Sequence, residues 1–83
     1  MDFKDLQTKI KKECNTEIID RKLLKAIATK IKSSDIIISA FDCFDSDNNL
    51  CLVVATKSKM IIATNQFFKS AKISVISLSS VTD

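Results

Sequence analysis

IIISAFDCFDSDNNLCLVVATKSKMIIAT, residues 36–64, decides the fold. Three apolar runs rich in β-branched residues stand between two short polar breaks, which is the grammar of consecutive strands joined by tight turns. IIISAFDCF (36–44) reads as a strand and DSDNN (45–49) as its turn. LCLVVAT (50–56) is a second strand, KSK (57–59) a tight turn, and MIIAT (60–64) a third strand. Connections this short can only join antiparallel neighbours, so the run is a meander. Downstream, NQFFKS (65–70) makes a loop, and AKISVISL (71–78), bounded by serines, is a fourth strand.

Upstream the period changes. Phe3, Leu6 and Ile10 recur at helical spacing among Lys4, Lys9, Lys11 and Lys12, which predicts an amphipathic helix over 2–13 with one narrow apolar stripe. Asn15 and Thr16 interrupt the pattern and Asp20 offers a new start. Leu23, Leu24, Ile27 and Ile31 then repeat the stripe, with Ala26 and Ala28 favouring the same state, so a second helix is expected over 20–32. Two N-terminal amphipathic helices followed by a four-stranded antiparallel meander form an α+β class, with 1–33 the helical part and 34–83 the sheet of one domain.

An 83-residue chain has room for a single core, and one of that size is marginal unless oligomerisation or another constraint supports it. Hydrophobic residues at 46% and charged residues at 28% place the chain among folded proteins. It contains no Gly, Pro, His, Trp or Tyr. That removes the ordinary material of phosphate-cradling loops, imidazole bases and most aromatic stacking platforms. The N-terminal MDFKDLQTKIKKEC carries charge throughout, so neither a signal peptide nor a membrane span is expected there, and a cytoplasmic, thiol-reducing location follows. The net charge of +3 is segregated. Residues 1–32 hold nine Lys/Arg against five Asp/Glu, residues 33–49 hold Asp35, Asp42, Asp45 and Asp47 with no base, and 50–83 hold Lys57, Lys59, Lys69 and Lys72 against Asp83. Such segregation reads either as solvated faces or as a polar interaction surface.

No motif here builds an active site. Asp45, Asp47 and Asn49 alternate as in a calcium loop, but Leu50 stands where that loop needs Gly and Thr56 where it needs a bidentate Glu, so the run reads as a polar hairpin turn. Cys14, Cys43 and Cys51 lack CxxC spacing and a histidine, which leaves no metal set. If the DSDNN turn closes symmetrically, Phe44 faces Leu50 and Cys43 faces Cys51. Two small apolar residues filling one face, or a disulfide, would each suit that pairing. Ser58, between Lys57 and Lys59, has only exposed, protonated lysines for a base. Phe67 and Phe68 are adjacent, so in an extended backbone they point oppositely; one of them can be core, and the other is either available to a partner or membrane surface or folded back over the sheet.

The run LCLVVATKSKMIIATNQFFKSAKISVISLSSVTD (50–83) resembles the first half of the small bacterial pleckstrin-homology-like domains. ATKSKMII supplies the Thr, basic turn and apolar strand of that pattern, and ISLSSVTD the strand end. The resemblance covers about half the chain and lacks the hairpin glycines of the family. It implies a binding scaffold, in a fold that goes on to a second sheet and a C-terminal helix where this sequence stops after its fourth strand.

The expected function is therefore non-enzymatic protein binding, without cofactor or metal, with Lys57, Lys59, Phe67, Phe68, Lys69 and Lys72 as binding residues. A meander with two open edges and an uncovered face also calls for self-association, and Ile73, Val75, Ile76 and Leu78 of the fourth strand are the expected homodimer interface. A small phage- or mobile-element-encoded inhibitor of a host or defence protein is the alternative, suggested by the Gly-free, Lys/Ile/Asn-rich composition. Peripheral membrane binding through the same lysines and Phe67 or Phe68 is a further one. Nucleic-acid binding is disfavoured by the acids interspersed among the lysines.

Overall fold

The computed structural model describes residues 1–66 and 69–78. Helices α1 (Phe3–Cys14) and α2 (Arg21–Ala28) precede strands β1 (Ile37–Phe44), β2 (Leu50–Thr56), β3 (Lys59–Thr64) and β4 (Lys72–Ser77). The strands form one antiparallel sheet in the order β1-β2-β3-β4. This is the α+β arrangement of two helices and a four-stranded meander.

The breaks between elements have local causes. Asn15 ends α1 in the left-handed region at φ 53, its N–H donating to the Lys11 carbonyl; a short polar side chain tolerates that conformation. Asp20 starts α2 by accepting the Leu23 N–H at 3.0 Å, the ordinary N-cap arrangement. α2 ends at Ala28, four residues short of the expected 32. The Lys30 N–H turns back to the Ile27 carbonyl, and the N-terminal ammonium of Met1 donates to the Ala28 carbonyl at 3.2 Å. Ile31 is nevertheless buried, so it continues the apolar stripe without continuing the helix. β1 starts one residue later than expected, at Ile37, with its ladder shifted between Ile37 and Ser39. β3 takes in Lys59 and leaves a turn of Lys57 and Ser58 alone, and β4 is trimmed by one residue at each end.

Both helices lie on the same face of the sheet. Leu6 and Ile10 from α1 and Leu23, Leu24 and Ile27 from α2 join Ile37, Ala40, Leu52, Val54, Ile61 and Ala63 in one buried cluster. α1 also closes the start of outer strand β1: the Glu13 carboxylate accepts the Ile37 N–H at 2.9 Å, and the Cys14 thiol lies 3.7 Å from the Ile37 carbonyl. This is a partial answer to the open-edge problem of a meander. At the other side Lys22 of α2 donates to Asn65 Oδ1 and to the Gln66 carbonyl, holding the β3–β4 connection to the helical layer.

Three carboxylates are built into these joints, which sets the acid response of the fold. The Lys9 ammonium, 2.7 Å away, and the Ile37 N–H hold Glu13 below its ordinary pKa. The Lys32 N–H, and then the charge of Lys59 at 3.5 Å, do the same for Asp35. The N–H groups of Asn49 and Asp47 lower Asp45. A carboxylate whose pKa is depressed on folding contributes stability that is complete above its unfolded pKa and is lost as pH falls through the folded one. The thermal midpoint should therefore fall once pH drops below about 4. Glu13→Gln, which keeps the acceptor for Ile37 but not the charge, should flatten that decline in melts recorded from neutral pH to pH 2.

Candidate binding face

Strand residues opposite one another share a face, so the registers sort every side chain of the sheet. The rows Ala40–Val54–Ile61–Val75 and Asp42–Leu52–Ala63–Ile73 belong to the helix side. The rows Ser39–Ala55–Met60–Ile76, Phe41–Val53–Ile62–Ser74 and Cys43–Cys51–Thr64–Lys72 belong to the other. No described element packs on that second face.

A sheet face left to water normally alternates to polar residues. This one does not. Its middle is Phe41, Val53, Ile62, Met60 and Ile76, with serines, Thr64 and Lys72 confined to its outer rows and β4 edge. Val53 in the central strand, between Phe41 and Ile62, is 7% exposed, while Phe41 and Ile76 at the margins are 49% and 47% exposed. The result is a contiguous apolar surface with half-open aromatic and aliphatic edges, the composition of an interface centre.

Cys43 and Cys51 stand opposite each other on this face, as the symmetric closure of the DSDNN turn requires. Asp45 makes that closure: its Oδ1 accepts the N–H groups of Asp47 and Asn49 at 2.9 and 2.8 Å, and Asn48 takes φ 63. The carboxylate nearest the calcium-like spacing is thus engaged by the turn's own backbone. Desolvation, and then Cys51 beside it, push the Cys43 thiol above its ordinary pKa; desolvation, and then Glu13, do so for Cys14. Thiols shifted upward are less ionised at neutral pH and make poorer nucleophiles. Among the described residues no group of three or more His, Cys, Asp or Glu converges on a point.

The expected binding residues are divided by the fold. Lys57 and Lys59 lie at the β2–β3 turn, whereas Lys72 pairs with Thr64 at the far end of β3, about 17 Å along the strand. Lys59 points to the helix side and is paired with Asp35. Lys72 is exposed on the open face, and Lys69 is exposed in the connection before it. Phe67 and Phe68 lie outside the described residues. The expected interface residues do not share a surface either. Ile73 packs against the core on the helix side, Val75 is exposed on that side, Ile76 is on the open face, and Leu78 is half-buried with its N–H donating to the Ser58 carbonyl.

Phe41, Val53, Met60 and Ile62 were missing from the expected site. The signal for them is the lack of alternation in LCLVVAT and MIIAT, since an unbroken apolar strand is one with both faces to cover. No helix among the described residues is long and apolar enough to cross a membrane. Comparison with protein-family models, curated proteins and solved structures finds no match for this chain.

Proposed function

We propose that this chain is a non-enzymatic protein-binding scaffold, completed by self-association, that makes its contact through the helix-free face of its sheet. The observation that carries this reading is the apolar middle of that face, with Phe41 and Ile76 each about half exposed at its margins. A lone small domain gains nothing from leaving such a surface in water, whereas a partner that covers it removes apolar area from water at about 25 cal/mol for each Å², before the entropic cost of association. The raised thiols and the carboxylates engaged with backbone N–H groups support binding over catalysis. The pleckstrin-homology-like resemblance of residues 50–83 points to the same scaffold role, and a cytoplasmic setting is consistent with thiols kept reduced.

The test is capture from the native host with tagged protein, wild type against Phe41→Lys. Phe41 is an exposed position of an outer strand, so the lysine can reach solvent within the same backbone. Proteins retained by the wild type, including further copies of this chain, should be lost by the variant, while a lysine-to-alanine change at exposed Lys30 behind the sheet should keep them. Equal retention by Phe41→Lys would remove the face from consideration.

A further inference from the structure

The open face is bordered by charge in a pattern that bears on what covers it. At the end of the sheet where β1 turns into β2, the connecting turn carries Asp45 and Asp47 at the β1 side. At the same end, across the sheet, β4 begins at Lys72, with Lys69 in the connection before it. One end of the face thus has an acidic corner at one outer strand and a basic corner at the other. The middle between them, Phe41, Val53 and Ile62, is uncharged.

Such a surface is complementary to itself under one operation. A two-fold axis lying between two stacked sheets and running along the strands exchanges left and right but keeps the ends together, so β1 of one copy lies over β4 of the other. The acidic hairpin of each copy then faces the lysine corner of its partner, twice, and the apolar centres meet. An axis across the strands instead lays β1 over β1 end for end. It brings the hairpin over the start of β1, where Asp35 is already paired with Lys59, and offers Lys69 and Lys72 no acidic counterpart among the described residues. The domain measures 35 × 31 × 20 Å, and a stable interface buries about 800 Å² per partner. Sheets stack about 10 Å apart with strands nearly aligned, a geometry the strand-parallel axis satisfies.

We propose that the occupant of the helix-free face is a second copy of this chain, stacked sheet to sheet about an axis along the strands, with each acidic β1–β2 hairpin over the Lys69/Lys72 corner of the other copy. The inference rests on the reading of this face as the binding surface, and adds the partner and its orientation. Edge-to-edge pairing through β4 is the competing geometry, and it would leave Phe41 and Ile62 uncovered.

Light scattering coupled to size exclusion, with dilution to obtain the dissociation constant, tests it. Wild type should run near twice its 9.2 kDa, and Ser74→Lys, an exposed change in the Phe41–Val53–Ile62 row, should give a folded monomer by circular dichroism. Asp47→Lys and Lys72→Asp should each weaken the dimer by roughly three- to tenfold, and the two together should restore it to within about threefold of wild type. A wild-type mass of one chain at all micromolar concentrations overturns the inference, and if Phe41→Lys still loses captured proteins the reading of the face survives it. A dimer indifferent to both Phe41→Lys and Ser74→Lys overturns the two together. A double reversal no tighter than the single ones overturns the orientation.

Discussion

Leu24→Ala should lower stability by about 2–5 kcal/mol, the range for truncating a fully buried leucine when its surroundings relax only in part. Leu24 is 0% exposed on the face of α2 turned to the sheet, in the cluster that joins both helices to β2 and β3. A domain of this length has a total of about 4–12 kcal/mol, so the loss is a large fraction of it. The midpoint should fall by roughly 8–40 °C at the slope typical of small domains. Leu24→Met, which conserves volume, should cost less than about 1.5 kcal/mol. The pair separates a packing effect from a change of helix propensity, because methionine and alanine are both good helix formers. If the two variants melt together, the helix–sheet seam is not where this fold is held, and circular dichroism melts at neutral pH suffice to decide it.

Much of this fold was legible because its signals are local. The register Cys43–Cys51 and Phe44–Leu50 follows once five polar residues close a hairpin, and Asp45 supplies the side-chain acceptor that makes the closure definite. Asn15 and Asp20 act as the cap residues their types imply. Where the reading missed, the deciding contacts are distant in sequence. Apolar spacing reports burial, so Ile31 belongs to the stripe; the end of α2 at Ala28 instead accompanies contacts that spacing does not encode, among them the ammonium of Met1 on the Ala28 carbonyl. The lysines show the same limit. Lys57, Lys59, Lys69 and Lys72 are close in the chain, but a strand between them carries the pairs to opposite ends of the sheet. The apolar open face was written in LCLVVAT all along, yet it became visible only when both helices proved to occupy the other side.

Thr56→Val should cost about 1–3 kcal/mol, although it keeps the side-chain shape and adds apolar surface. Among the described residues Thr56 is the one buried polar side chain, 1% exposed at the end of β2. Its Oγ1 donates to the Lys59 carbonyl at 3.2 Å and accepts the N–H groups of Ser58 and Lys59 at 3.3 and 3.2 Å. No residue of the turn at Lys57-Ser58 has positive φ, so it closes without the left-handed residue that Asn15 and Asn48 supply elsewhere in this glycine-free chain. The hydroxyl satisfies the turn's backbone groups in its place, and Lys59 leaves the turn directed at Asp35, 3.5 Å away. Valine fills the same volume but offers neither donor nor acceptor, so the N–H groups of Ser58 and Lys59 and the Lys59 carbonyl each lose the hydrogen bond they make to the hydroxyl. Thr56→Ser keeps the oxygen and gives up a methyl group, at about 1 kcal/mol. The expected order of stability in urea is therefore wild type, then serine, then valine, and amide exchange at Ser58 and Lys59 should quicken in the valine variant alone. A valine variant as stable as the serine one would mean that the turn is held by the strands it joins and not by the threonine hydroxyl.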